Sequence, residues 1–276
     1  EILTRDWSSD VCSSDLSMCF NKQMTLGFSI TAVILGCWVL MGKGIWNITK
    51  WRRIRISSCF FWFSFMEFLQ YVQYLVINDC SNIVNIVFTA LGWIHIAYQP
   101  LFSNIALTAL DPKNLNKERK DTWDYILKFC FVCGTLMSLR LLIPVFYQKE
   151  NTFFLPCTES IEGMCAPVTC SYDGLHHIKW TFKMLKPSYP FPGIAAHFLN
   201  MFIAPILMGQ WKAAIILFMT GPFIAALFNG VSDGERSSIW CYFSIAESFI
   251  TIMSQYLMSR KKASSPKSER ETPKNK

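Results

Sequence analysis

The stretch MTLGFSITAVILGCWVLMG (residues 24–42) decides the class of fold: it has no charged residue along its whole length. As a helix rising 1.5 Å per residue it would cross most of a hydrocarbon core about 30 Å thick. A helix on the surface of a soluble domain would show a charged face at a 3.6-residue period, and this one does not. Six further apolar runs follow at Ile56–Ile77, Asn82–Leu110, Trp123–Tyr147, Phe191–Gly209, Trp211–Asn229 and Ser237–Met258. The expected fold is an all-α membrane protein of about seven transmembrane helices. Composition agrees: 52% of the chain is apolar and only 16% charged, against about 25% charged in an ordinary soluble domain.

Orientation follows from where Lys and Arg fall. The loop after the first run carries Lys43, Lys50, Arg52, Arg53 and Arg55, and the loop after the third carries Lys113, Lys117, Arg119 and Lys120. The C-terminal stretch SRKKASSPKSERETPKNK holds seven basic residues against two acidic ones, a net +5 of the chain's +7. These segments fall on one side, so the N-terminus is expected outside and the C-terminus in the cytoplasm. Cys80, Cys157, Cys165 and Cys170 all fall on the opposite side, where disulfides persist. They are the disulfide candidates, and three pairings are open. Cys37, Cys59, Cys130, Cys133 and Cys241 lie in apolar runs and are expected to behave as small hydrophobes.

The chain divides into a membrane domain at 18–258 and a basic tail at 259–276, which has too little apolar surface to fold. Segment 148–190 is a long cysteine-bearing extracytoplasmic loop, expected to be irregular, disulfide-held and exposed because of its prolines. The Ser/Asp-rich opening EILTRDWSSDVCSSDLS lacks the basic and apolar regions of a signal peptide. Residues 1–17 are read as a non-native, adapter-derived segment, with Met18 as the native start. Asn47-Ile48-Thr49 matches a glycosylation sequon but falls on the cytoplasmic side.

Ionisable side chains within membrane helices cost about 2.5 kcal/mol or more each on insertion scales, so each needs a reason. Glu67, Gln70 and Tyr74 share one face of the second run. His95 precedes Gln99 and Pro100 in the third, Arg140 lies in the fourth, His197 in the fifth and Glu247 in the seventh. A polar centre between the helices is the economical arrangement, with Arg140 compensating a carboxylate. Glu67, Gln70, His95, Gln99, Arg140, His197 and Glu247 are then candidates for a solute or proton pathway; a paired structural network is the alternative. Pro100, Pro205 and Pro222 each free a backbone carbonyl one turn earlier. No phosphate-binding loop, dinucleotide fingerprint, nucleophile elbow or zinc ribbon occurs, and no Lys occupies Ser237–Met258 to hold retinal. A metallohydrolase would need more than His95 and His197. No cofactor and no metal are implied, and a non-enzymatic role is expected.

Several stretches resemble an uncharacterised family of small polytopic membrane proteins found in bacteria, eukaryotes and large DNA viruses. They are Met18-Cys19-Phe20-Asn21, the basic Trp51-Arg52-Arg53, Glu67 with Gln70, Trp93-Ile94-His95 with Gln99-Pro100, and Ile239-Trp240-Cys241-Tyr242-Phe243. The resemblance implies about seven helices and assigns no activity.

The sequence therefore supports two functions: a transporter or channel-like protein for a small polar solute or protons, or a receptor-like or scaffold protein whose external loop makes contacts. A membrane-embedded hydrolase is a third. The expected partners are the lipid bilayer and, through the tail, its anionic cytoplasmic leaflet. Nucleic acid is not expected, because the basic residues flank membrane runs.

Overall fold

The computed structural model describes residues 21–42, 49–111, 116–146, 155–188 and 190–264. The segment 1–17, the Met18-Cys19-Phe20 start, Asn47 and Ile48 of the sequon, Lys43, Lys113 and the tail beyond 264 lie outside the described residues.

Seven helices are described: α1 Lys22–Met41, α2 Lys50–Leu75, α3 Ile83–Leu110, α4 Lys117–Phe146, α5 Ile194–Leu207, α6 Trp211–Ala226 and α7 Asp233–Ser264. A two-stranded antiparallel hairpin, β1 Cys170–Asp173 and β2 Ile178–Thr181, stands between α4 and α5. Three helices, α1, α3 and α4, are long and apolar enough to cross a membrane. α5 and α6 are shorter than a span. α2 starts well before Ile56, so the basic residues assigned to a loop form its first turns. Thr49 caps that start, Arg55 lies over the Trp51 ring at 3.6 Å and Arg52 donates to the Asp111 carbonyl. α7 runs through Ser264, into the stretch read as an unfolded tail.

Burial along α1 is inverted relative to a soluble helix. Thr25, Ser29, Ala32 and Gly36 face inward, while Ile30, Ile34 and Met41 are exposed. Small inward residues allow close approach, and Ser29 and Ser64 exchange hydrogen bonds between α1 and α2 at 2.9–3.1 Å.

Segment 155–188 departs most from the expectation of an irregular exposed loop. It is a folded cap that shares a core with the helices. Ile178, Trp180, Phe182 and Met184 are buried against Met66, Leu69, Trp93 and Met137, while Lys183 is exposed. The disulfides Cys80–Cys170 and Cys157–Cys165 staple it, the first to the α2–α3 turn. That turn reverses at Asn78, whose φ of 64° is one that Asn tolerates, and Asn78 in turn bonds Asp173 of β1. Gly234 lets α7 press against β2: a Cβ there would sit 2.0 Å from the Trp180 carbonyl oxygen.

The two ends of the bundle differ in chemistry. The cap end holds the disulfides. The other end is tied by Arg119, which pairs with Asp111 at 2.5 Å and donates to the Met208 carbonyl, and by Trp123, which donates to the same carboxylate. Gln210 there donates to the Leu107 carbonyl.

Candidate functional site

The cap is seated by side chains that sequence spacing placed on one face of α2. Tyr74 donates to His177 Nδ1 at 2.5 Å, and His177 Nε2 donates to Gln70 Oε1 at 3.2 Å. This pairing defines the neutral tautomer, and burial pushes the His177 imidazole down to about 3. Gln73, one turn further on, accepts from Trp180 Nε1 at 2.8 Å. Glu235 in the first turn of α7 accepts from the backbone N–H of His176 and His177. On α3, Asn85 and Thr89 bind Ser171. Each interaction satisfies a buried polar group, as a cap inserted between helix ends requires.

Arg140 is spent on the same task. It is wholly buried and pairs with Glu162 of the cap at 2.7 Å. It also donates to the Leu185 carbonyl through Nε and Nη2, and to the Pro192 carbonyl. The other oxygen of Glu162 accepts from the Ile194 N–H at 2.7 Å and so caps α5. The expectation that Arg140 compensates an intramembrane carboxylate is corrected. Its partner is a loop carboxylate, because the guanidinium reaches up into the cap rather than across the bundle.

Glu67 is fully buried on α2, and neither carboxylate oxygen has a hydrogen-bond partner among the described residues. Tyr74 and Tyr242 lie within electrostatic reach of it. The side chain of Glu247 lies outside the described residues. His95 bonds the Trp62 carbonyl through Nε2 at 2.8 Å and stacks on the Trp62 ring at 4.6 Å. His197 lies within electrostatic reach of His95 and close to the Ile96 carbonyl, the group that Pro100 deprives of its helical donor. No hydrogen bond closes there, and neither ring nitrogen of His197 has a partner among the described residues. The seven pathway candidates are therefore divided: Gln70 and Arg140 hold the cap, Glu67 and His95 are sealed in the bundle, and His197 packs against Trp240.

Gln99 is different, because it lines a cavity of about 430 Å³ beneath the cap. α3 contributes Ile96 and Gln99 to its wall, the cap Glu162 and Met164, and α5 Phe198. α6 adds Phe218 and Pro222, and α7 adds Asp233, Arg236, Ser237 and Trp240. Its volume falls in the range of small-molecule sites, and its lining is mostly apolar with a few polar groups, as such sites are. Three of the lining side chains carry a buried N–H without a partner among the described residues: Gln99 Nε2, Trp240 Nε1 and Arg236 Nε. Both short helices widen at this wall. α5 passes into a π-turn over Leu199–Ile203, directly after Phe198, and α6 over Met219–Phe223, where Pro222 cannot supply the usual i→i−4 bond. Gln99 and the prolines in the apolar runs were the sequence signals pointing here.

Among the described residues one trio of potential metal ligands converges, Cys157, Glu162 and Cys165. Both sulfurs are consumed in a disulfide and the carboxylate by Arg140, so the trio has no thiolate to offer.

No curated protein and no solved structure matches this chain. One family profile does, over residues 28–262, from the middle of α1 to the last turns of α7, and it takes in the cap, the Arg140 clamp and the whole cavity wall. On that match the chain belongs to a family of unknown function, DUF5765.

Proposed function

We propose that this is a multi-pass integral membrane protein of the receptor-like kind, which holds a small ligand in the cavity under its external cap. Its N-terminus is outside and its C-terminus cytoplasmic. The inverted burial of α1, the three span-length apolar helices, and the position of both disulfides at the end opposite the basic starts of α2 and α4 support the membrane placement, although the cap also carries Lys179, Lys183 and Lys186. The cavity carries the ligand reading: buried N–H groups without acceptors are costly, and a bound molecule is what would satisfy them. A proton or solute pathway finds less support, since Glu67, His95, Arg140 and His197 do not line this cavity.

The test has two arms. Purified protein should be stabilised against heat by some members of a small amphipathic library, and Ser237→Phe, which projects a ring into the cavity from a half-buried position, should abolish that stabilisation. Protein reconstituted in liposomes should give no proton or ion flux above empty vesicles. A flux abolished by Glu67→Gln, with no ligand-dependent stabilisation, would reverse the choice between the two readings.

A further inference from the structure

The cavity has a neighbour on the other side of two of its wall residues. Phe198 and Phe218 belong to its wall and also to that of a second space of about 660 Å³, a groove between α5 and α6. The groove lining is wholly apolar, including Leu199, Ile203 and Ile215, whose side chains are exposed on the outer surface of the bundle. One molecule passing between the two phenyl rings would therefore have two chemically different halves.

The polar half is specified by the cavity. Its three unpartnered buried atoms are all donors, so the matching group carries acceptor oxygens. Its charges are already balanced: Glu162 is paired with Arg140 and Asp233 with Arg236 at 2.9 Å. An anionic head would find no free cation there and would lie beside two carboxylates. The apolar half is specified by the groove, a single trough between two helices, which gives room for one chain.

We propose that the site binds a neutral single-chain lipid, an acyl ester or amide. Its carbonyl-bearing head meets Gln99 and Trp240, and its chain lies in the α5–α6 groove, entered sideways from the bilayer. This rests on the ligand-cavity reading above and adds the chemical class and the route. The short length of α5 and α6 fits the route, because neither presents a full-span wall to the lipid.

Full-length protein in detergent would be titrated with monooleoylglycerol, glycerol monobutyrate and oleate. Monooleoylglycerol should bind at least about tenfold more tightly than monobutyrate, as burial of many methylenes demands, and more tightly than oleate. Gln99→Leu should weaken it about two- to tenfold, the range of one lost neutral hydrogen bond. Ala195→Trp, which fills the groove from an exposed position, should erase the advantage of the long chain while leaving monobutyrate binding unchanged. Ile215→Trp on the facing helix provides a second groove variant should the first fail to fold. Tighter binding of oleate, or a chain-length advantage that survives both groove variants, would overturn the inference while leaving the ligand cavity in place. Absence of binding by all three probes, with the wild type also stabilised by no member of the library, would remove both.

Discussion

Breaking the Arg140–Glu162 pair tests whether the cap is clamped as described. At 2.7 Å and an effective dielectric of about 20, the attraction amounts to about 6 kcal/mol. Taking both ions out of water costs several kcal/mol each, so the intact pair contributes little net stability. Removing one partner is a different matter. Arg140→Met leaves the Glu162 carboxylate without a counter-ion, held by the Ile194 N–H, and Glu162→Gln leaves a buried guanidinium with neutral acceptors alone, the carbonyls of Leu185 and Pro192 and the new amide oxygen. Each single change should cost about 3–5 kcal/mol. The double variant should recover most of that loss, giving a coupling energy of at least about 2 kcal/mol. The assay is unfolding of the detergent-solubilised protein by SDS titration, with protease sensitivity of the cap followed in parallel. Single variants costing under about 1 kcal/mol, or a double variant whose cost is the sum of the two, would refute the clamp.

Three further outcomes are expected. Gly234→Ala drives a methyl into the Trp180 backbone, so it should destabilise by about 1–3 kcal/mol and expose the cap to protease; an unchanged melting temperature would contradict the close α7–β2 approach. His177, held down to about 3 by burial against an ordinary value of about 6.5, contributes stability that is fully present above pH 6.5 and lost as pH falls towards 3. Its loss should reach about 2 kcal/mol at pH 5, and thermal unfolding at pH 7 and pH 5 should show a smaller difference in His177→Gln than in the wild type. The thiols of Cys80, Cys157, Cys165 and Cys170 should resist an impermeant alkylating reagent until reductant is added; labelling of all four without reductant would contradict both bridges.

The sequence made the helices legible where apolar runs were uninterrupted: α1, α3 and α4 begin or end within a few residues of the expected bounds. α2 was read late, because Lys50–Arg55 carries charge that looks like loop sequence yet lies along a helical turn stabilised by Trp51 and Asp111. The cap was missed because prolines and cysteines dominate 148–190 and mask a signal that was present. Ile178, Trp180, Phe182 and Met184 alternate with Lys179, Thr181 and Lys183, the period of a half-buried strand. The polar residues were recognised as needing partners, but the partners were not readable. Glu162 lies 22 residues from Arg140 and His177 lies 107 from Gln70, in a segment expected to be exposed. Such pairings depend on how the cap folds back onto the bundle, and no local pattern encodes that. The cavity was signalled only indirectly, by Gln99 beside a proline and by Pro222 in an apolar run.

The ligand cavity is tested most directly by native mass spectrometry of the protein extracted from its native source in a mild detergent. The wild type should carry a single small adduct at one-to-one stoichiometry, and fragmentation should identify it as a neutral lipid with one acyl chain. Ser237→Phe, folded and monodisperse, should lose that adduct. A wild type that is free of adduct, or an adduct retained in full by Ser237→Phe, would contradict the account.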